Sequence, residues 1–229
     1  MQSSTVTDTL TRLTRYRFVN AYLVREDDGL TLVDTTTRGA GDALIEAARA
    51  SGAPIRRIAL THGHGDHVGS VDELKGRLGK EVELLMPEVD ARIHAGEHVV
   101  DGKLPGSWPT LETAPDRRLQ AGDRVGSLEV VASPGHTPGH VSFLDTRDRT
   151  LLVGDVLTTI GGVAVASHFH LRFPLAAMAT WDKPLNLESA RALQGLEPAL
   201  VAVGHGAPVR EPGAALEAAI ERAARSLGG

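Results

Sequence analysis

Within the six residues His62-Gly63-His64-Gly65-Asp66-His67 the chain places three imidazoles and a carboxylate, and Gly63, Gly65 and Gly69 leave that backbone free to bend tightly. The run before it, residues 55–60, is Ile-Arg-Arg-Ile-Ala-Leu and reads as a buried strand, so these donors sit at a strand's carboxyl end. Donors at this spacing suit two metals held side by side. The plain alternative, a solvated loop, does not explain why such a pattern recurs downstream in complementary pieces.

Ser133-Pro134-Gly135-His136-Thr137-Pro138-Gly139-His140 places two more histidines in a loop stiffened by prolines after a strand. Asp155 and His205 each end an apolar run. Singly, either would read as an ordinary hydrogen-bonded residue at a strand end, and it is their joint placement that makes them candidate ligands. The chain has no cysteine. A disulfide framework and a thiolate site are therefore both excluded, and any metal must rest on nitrogen and oxygen.

Periodicity predicts a hairpin of strands over residues 18–24 and 30–35, turning at Asp27-Asp28-Gly29. A helix is expected over 40–51, then the strand 55–60, a helix over 71–78, a strand over 82–86 and a helix over 88–95. Residues 97–118 read as loop. Strands follow over 124–133, 141–144 and 150–156, and residues 158–178 show no clear period. A helix over 187–196, a strand over 199–203 and an amphipathic helix over 214–227 close the chain. The class is α/β, read as a single domain over residues 1–229. A faint internal echo runs through it: Leu32-Val33-Asp34 and then Ile58 to His62, against Leu152-Val153-Gly154-Asp155 and then Leu200 to His205. Two such halves packed sheet against sheet would bring both sets of strand ends to one shared edge.

The order H-x-H-x-D-H, then G-H-T-P-G-H, then a strand ending G-D, then G-H-G resembles the metallo-β-lactamase superfamily of hydrolases, from about Val19 to Gly206. The resemblance implies a four-layer αβ/βα sandwich. It implies that His62, His64 and His136 hold one metal, that Asp66, His67 and His205 hold the other, and that Asp155 bridges them. The cofactor is then two divalent ions per chain, zinc by the resemblance, although the same ligands accept manganese, iron or cobalt. Such a pair lowers the pKa of a shared water and holds a hydroxide ready for attack, so Asp66 and Asp155 are the candidate catalytic carboxylates. Asp34, Thr61, His140 and Ser142 are candidates for fixing the imidazoles from behind. For Asp34 a turn-capping role is an equal alternative.

Against the family it resembles, the sequence weighs the substrate classes, and a lactonase stays open. True β-lactamases use a cysteine at the second metal or lack the bridging aspartate, whereas this chain has no cysteine and has Asp155. Glyoxalase II enzymes share the ligand set but add a helical, glutathione-gripping region, for which the short stretch after His205 leaves little room. Acyl-homoserine lactonases often place a tyrosine three residues after the bridging aspartate, where this chain has Thr158. The reading is a hydrolase of a small ester, thioester or lactone. The alternatives are an iron-dependent sulfur dioxygenase acting on a persulfide and a small-molecule phosphodiesterase.

Against 24 basic residues stand 29 acidic ones, for a formal charge of -5, with neither sign gathered into long runs. Nucleic acid and anionic membrane surfaces are therefore not the expected partners. No segment has membrane-spanning length and the amino end lacks the apolar stretch of a secretory signal, so a cytoplasmic protein is expected, with a homodimer left open. The segment around Ser167-His168-Phe169-His170-Leu171-Arg172-Phe173 could fold over the metals as a lid, and Phe169, His170 and Phe173 are its candidate substrate-binding residues. Packing in the core is the competing account.

Overall fold

Alternation of side chains along the strands decides the architecture. The computed structural model describes residues 1–228. Its first half forms a seven-stranded sheet whose spatial order follows the sequence: β1 (Gln2–Thr5), β2 (Leu10–Arg15), β3 (Val19–Glu26), β4 (Gly29–Val33), β5 (Ile55–Ala59), β6 (Glu83–Pro87) and β7 (Arg117–Leu119). Between these strands run α1 (Gly41–Ala50), α2 (Gly65–Val68), α3 (Val71–Leu78) and α4 (Glu88–His94). The second half supplies β8 (Arg124–Val125), β9 (Leu128–Ala132), β10 (Val141–Asp145), β11 (Thr150–Leu152), the short pair β12 (Leu157–Thr158) and β13 (Ala164–Val165), then α5 (Leu175–Ala179), α6 (Lys183–Gln194), β14 (Leu200–Ala202), β15 (Val209–Arg210) and α7 (Gly213–Leu227). The second sheet has the order β15-β14-β11-β10-β9-β8.

Neighbouring residues on a strand face opposite layers. Leu23, Leu32, Ile58 and Leu84 pack outward under α1 and α3, while Tyr22, Val33, Ala59 and Leu85 pack inward with Val130, Phe143, Leu152 and Ala202 of the other sheet. Leu144, Leu151 and Val201 then face Leu187, Leu193, Leu216 and Ile220 of α6 and α7. Three apolar seams thus join four layers, helix, sheet, sheet and helix, as the αβ/βα sandwich requires. Phe143, fully enclosed between the sheets, anchors the central seam. Truncating such a ring to alanine costs about 3–5 kcal/mol.

The internal echo is a pair of matched parallel ladders. Val33 pairs with Ala59 on β4 and β5, and Leu152 with Ala202 on β11 and β14. Each ladder ends in an acidic residue on one strand and a histidine just past the other: Asp34 with His62, Asp155 with His205. The sheets meet at this edge, where His205 bridges to Val19 of β3 and to Thr158 of β12.

Several element boundaries differ from the expected ones for identifiable reasons. The threonine-rich amino end, for which the sequence predicted no element, forms β1 and β2, in keeping with the strand preference of β-branched Thr. The strand expected over 124–133 is broken at Gly126, which turns with φ 61°. The helix expected from 187 starts earlier, at Lys183, since Asp182 caps it by accepting the Leu185 N–H at 2.9 Å and Pro184 fits its first turn. The region without period holds β12, β13 and the single-turn α5, each too short for a periodic signal. Among the described residues no helix is long and apolar enough to cross a membrane.

Candidate metal centre

Five histidines and two aspartates converge at the shared edge. His62, His64 and His136 bring one donor atom each to within 4.8 Å of one another, and Asp66, His67, Asp155 and His205 do the same beside them. His64 Nδ1 lies 3.0 Å from His136 Nε2. Asp155 sits between the two groups, its Oδ2 3.5 Å from His136 Nε2 and 3.1 Å from His205 Nε2, its Oδ1 3.4 Å from His67 Nε2. Every sequence-derived ligand candidate is thus brought together. All are buried except Asp66, whose side chain is 36% exposed and lies 3.2 Å from His205 Nε2.

Hydrogen bonds behind the rings fix which nitrogen each imidazole presents. His67 Nδ1 donates to Asp34 Oδ2 at 2.8 Å, and His205 Nδ1 to the Phe18 carbonyl at 3.1 Å. His64 is turned the other way: its Nε2 donates to the Pro105 carbonyl at 3.2 Å, leaving Nδ1 free. The Thr180 hydroxyl gives its hydrogen to the Ala176 or Ala166 carbonyl, so it accepts from His136 Nδ1 at 3.0 Å. Thr61 donates to Asp34 and likewise accepts from His62 Nδ1 at 2.9 Å. In all five rings the nitrogen turned away from the centre is engaged by a protein oxygen, and the other nitrogen faces the centre.

Buried atoms left without partners test whether a cation fits. His62 Nε2, His67 Nε2 and Asp155 Oδ1 are enclosed and make no hydrogen bond, a loss of about 1–3 kcal/mol apiece unless something else satisfies them. All three belong to the donor groups described, and a divalent cation in each group is what nitrogen and oxygen donors so arranged would hold. The electrostatics divide likewise. Burial drives His62 and His136 well below the ordinary imidazole range and His64 down to about 4, so these three stay neutral. Burial opposes charge on His67 and His205 too, but Asp155 overrides it, pushing His205 up to about 9 and His67 well above the usual range. Burial would raise the carboxyls of Asp66 and Asp155, yet His67 and His205 beside them hold both well below the usual range, ionised.

Close approach to the centre requires glycine at position 204. A Cβ on Gly204 would stand 2.1 Å from Asp155 Oδ1 and 2.6 Å from His67 Cε1, so the strand carrying His205 can pass the centre only without a side chain. His140 is not among the convergent donors. Its Nδ1 faces the Ser133 hydroxyl at 2.9 Å and its Nε2 accepts the Asp155 N–H at 3.1 Å, an arrangement open only to the neutral ring that burial enforces by lowering it to about 3. Ser142 reaches this chain through Ser133 at 2.8 Å.

Above the centre lies a cleft of about 100 Å³, lined by Phe18, Gly106, Ser107, Phe173, Leu175 and Ala176 along with five of the donors, His64, Asp66, His136, Asp155 and His205. Of the three candidate substrate-binding residues only Phe173 is in its wall, with its ring 4.9 Å from that of His205. His170 packs against Gly161 outside the wall, and Phe169 stands 53% exposed. The turn closed by Phe173 N–H on the His170 carbonyl rotates Phe173 in and leaves Phe169 out. Sequence reasoning passed over Phe18, Pro105, Trp108, Thr180 and Asp90. His94 is half-buried and bonds the Gly63 carbonyl at 2.9 Å. Phe18, Pro105 and Thr180 act through position or backbone carbonyls and leave no residue-type signal, but Asp90 and His94 are four apart on one helix, which places them on a common face.

Comparison with known proteins now bears on this geometry. Residues 14–205 match the family model described as the metallo-beta-lactamase superfamily. The chain is 38% identical over 211 residues to the uncharacterized protein YobT of Bacillus subtilis, covering 90% of each. It is 37% identical over 122 residues to a hydroxyacylglutathione hydrolase of Rhodopseudomonas palustris, covering 52% of this chain and 40% of that one. Among solved structures, TTHA1623 in a di-iron-bound form superposes with a TM-score of 0.66 at 27% identity, covering 87% of this chain and 93% of that one.

Proposed function

This chain belongs to the metallo-beta-lactamase superfamily, and we propose that it is a dinuclear metal-dependent hydrolase that cleaves a small, largely apolar ester, thioester or lactone. The observation that carries the reading is the hydrogen-bonded set of five imidazoles, each with one ring nitrogen held from behind and the other directed at a centre that also holds two ionised carboxylates. His62, His64 and His136 would hold one ion, Asp66, His67 and His205 the other, with Asp155 between them. When two divalent cations are bound, they lower the pKa of a shared water and polarise the carbonyl under attack.

The remaining work falls to the chain itself. Asp66 is the most exposed of the donors and also borders a neighbouring hollow of about 640 Å³, with which the cleft shares Ser107. Being ionised, its outer oxygen is placed to accept a proton as water is consumed and to return it to the leaving alkoxide or thiolate. Phe173, Ala176 and Phe18 exclude bulk water from the reacting bond, and the partly exposed Phe18 and Leu175 give an acyl chain an apolar path out. Zinc is the proposed metal. The iron of TTHA1623 makes iron its direct competitor.

An activity panel of esters, thioesters, lactones and phosphodiesters, run on protein of measured zinc, iron and manganese content, tests the reading. The expected result is turnover of a carbonyl ester class at two metals per chain. Oxygen uptake with a persulfide at one iron per chain, without hydrolysis, would replace it with the dioxygenase alternative.

A further inference from the structure

Helix α4 carries a carboxylate, Asp90, that hydrogen-bonds to both loops of the first histidine group. Asp90 is fully buried, and its oxygens spend themselves neither on its own helix terminus nor on a cation. Oδ2 accepts the Gly63 N–H at 2.8 Å and the Thr137 hydroxyl at 2.7 Å, and Oδ1 accepts the Gly139 N–H at 2.7 Å. Gly63 lies between His62 and His64. Thr137 follows His136. One side chain therefore ties together the backbones that carry all three donors of that group.

One turn later on the same face, His94 Nε2 donates to the Gly63 carbonyl at 2.9 Å. The peptide groups on either side of Gly63 are thus held from one helix, the N–H by Asp90 and the C=O by His94. The fit leaves no slack: a Cβ on Gly63 would meet Trp108 Cζ3 at 2.5 Å and His94 Nε2 at 2.8 Å, and one on Gly139 would meet Asp90 Oδ1 at 2.6 Å. A carboxylate enclosed without a cation is a costly group to keep for packing alone, and three directed donors are what make it tolerable. Ligand spacing is sensitive to such outer contacts, since a small displacement of one imidazole detunes a whole site.

We propose that Asp90 and His94 are positioning residues, a clasp on α4 that sets the distance between the His62/His64 loop and the His136 loop and so governs the affinity of the first metal site, leaving the second largely untouched. This rests on the dinuclear reading of the centre.

The test is a cobalt(II) titration of the metal-free protein, followed by the visible absorption of each bound ion and by the melting temperature of the metal-free form. Asp90→Asn keeps the shape but turns an amide NH2 toward groups that are themselves donors. It is expected to weaken one cobalt by about 10- to 100-fold and change its absorption band, with the other cobalt unaffected. His94→Gln, which retains an N–H donor, should keep more of that affinity than His94→Ala. Should Asp90→Asn fail to fold, Thr137→Val, which removes a single donor, should weaken the same ion by a smaller factor. Equal and unchanged binding of both ions in the folded variants overturns the clasp. A wild-type protein that takes up only one cobalt overturns the dinuclear reading instead, and Asp90→Asn leaving that one ion's affinity intact would overturn the clasp as well.

Discussion

Asp34 Oδ2 accepts the Nδ1 hydrogen of His67 at 2.8 Å, while Oδ1 of the same carboxylate takes the Thr61 N–H at 2.8 Å. Asp34 does this from a left-handed backbone, φ 61°, which costs a non-glycine residue about 1–2 kcal/mol. The carboxylate thus binds the strand end before His62 to the ring of His67, and it keeps the His67 hydrogen on the nitrogen away from the centre. Asn is tolerant of this backbone, so Asp34→Asn should fold. Its NH2, however, would face His67 Nδ1 and drive the hydrogen to Nε2, the atom needed as ligand. The expected result is a loss of metal affinity of about 10- to 100-fold with little change in the melting temperature of the metal-free protein. Undiminished affinity, measured by competition with a chelator, would show that Asp34 does not select the tautomer.

Asp155 supplies the carboxylate nearest to both donor groups, 3.5 Å from His136 Nε2 and 3.1 Å from His205 Nε2. Asp155→Ala should loosen the pairing of the ions and lower turnover by at least about a hundredfold even when metal is supplied in excess. Turnover at the wild-type rate in a metal-replete variant contradicts the assignment.

His136 and His140 stand four residues apart in one loop, and the structure gives them different work. His136 directs Nε2 toward His64 and Asp155, whereas both nitrogens of His140 are taken, by Ser133 and by the Asp155 N–H. His136→Ala should abolish binding of one ion. His140→Ala should retain both ions and lose activity more modestly, because the Asp155 backbone shifts rather than a donor vanishing. Elemental analysis separates the two, and equal metal loss in both variants would mean that the two roles are not distinct.

The candidate donors were legible because their chemistry is carried by residue type at close spacing, as in the Gly-spaced H-x-H-x-D-H, and the structure brings all of them together. The layers were legible through the family resemblance and the internal echo, whereas Leu32/Val33, Ile58/Ala59 and Leu151/Leu152 are apolar on both faces and divide between seams only in the structure. What stayed hidden depends on contacts between segments distant in sequence. Pro105 and Phe18 act through carbonyls that any residue would supply, and the Pro105 loop read only as irregular chain. Asp90 carries no sequence signal beyond that of an acid in a helix's first turn, since its oxygens leave the helix for Gly63, Thr137 and Gly139. The segment over residues 167–173 read either as a lid or as core packing, and its uneven apolar spacing did not reveal which of its aromatic rings turned inward.

That last ambiguity is resolved into an unequal pair of substitutions. Phe173 is nearly buried, packs with Ala166, Ala176 and Ile160, and lies edge-on to Phe18 with ring centroids 6.0 Å apart. It also lines the cleft beside Phe18 and Leu175, whereas Phe169 lies outside the lining and exposed. Phe173→Ala should therefore enlarge the cleft and shift selectivity toward longer or bulkier acyl chains. Because the ring belongs to a small satellite cluster and not to a seam between layers, the stability loss should fall below the about 3–5 kcal/mol typical of an enclosed Phe. Phe169→Ala should leave both selectivity and melting temperature near wild type. The measurement is kcat/KM across a series of acyl esters of increasing chain length, with metal content fixed at the wild-type level. A Phe173→Ala protein that keeps the wild-type chain-length profile while melting much earlier would make the ring a packing residue only. In that event selectivity would lie with Phe18, Leu175 and the adjoining hollow that begins at Asp66 and Ser107.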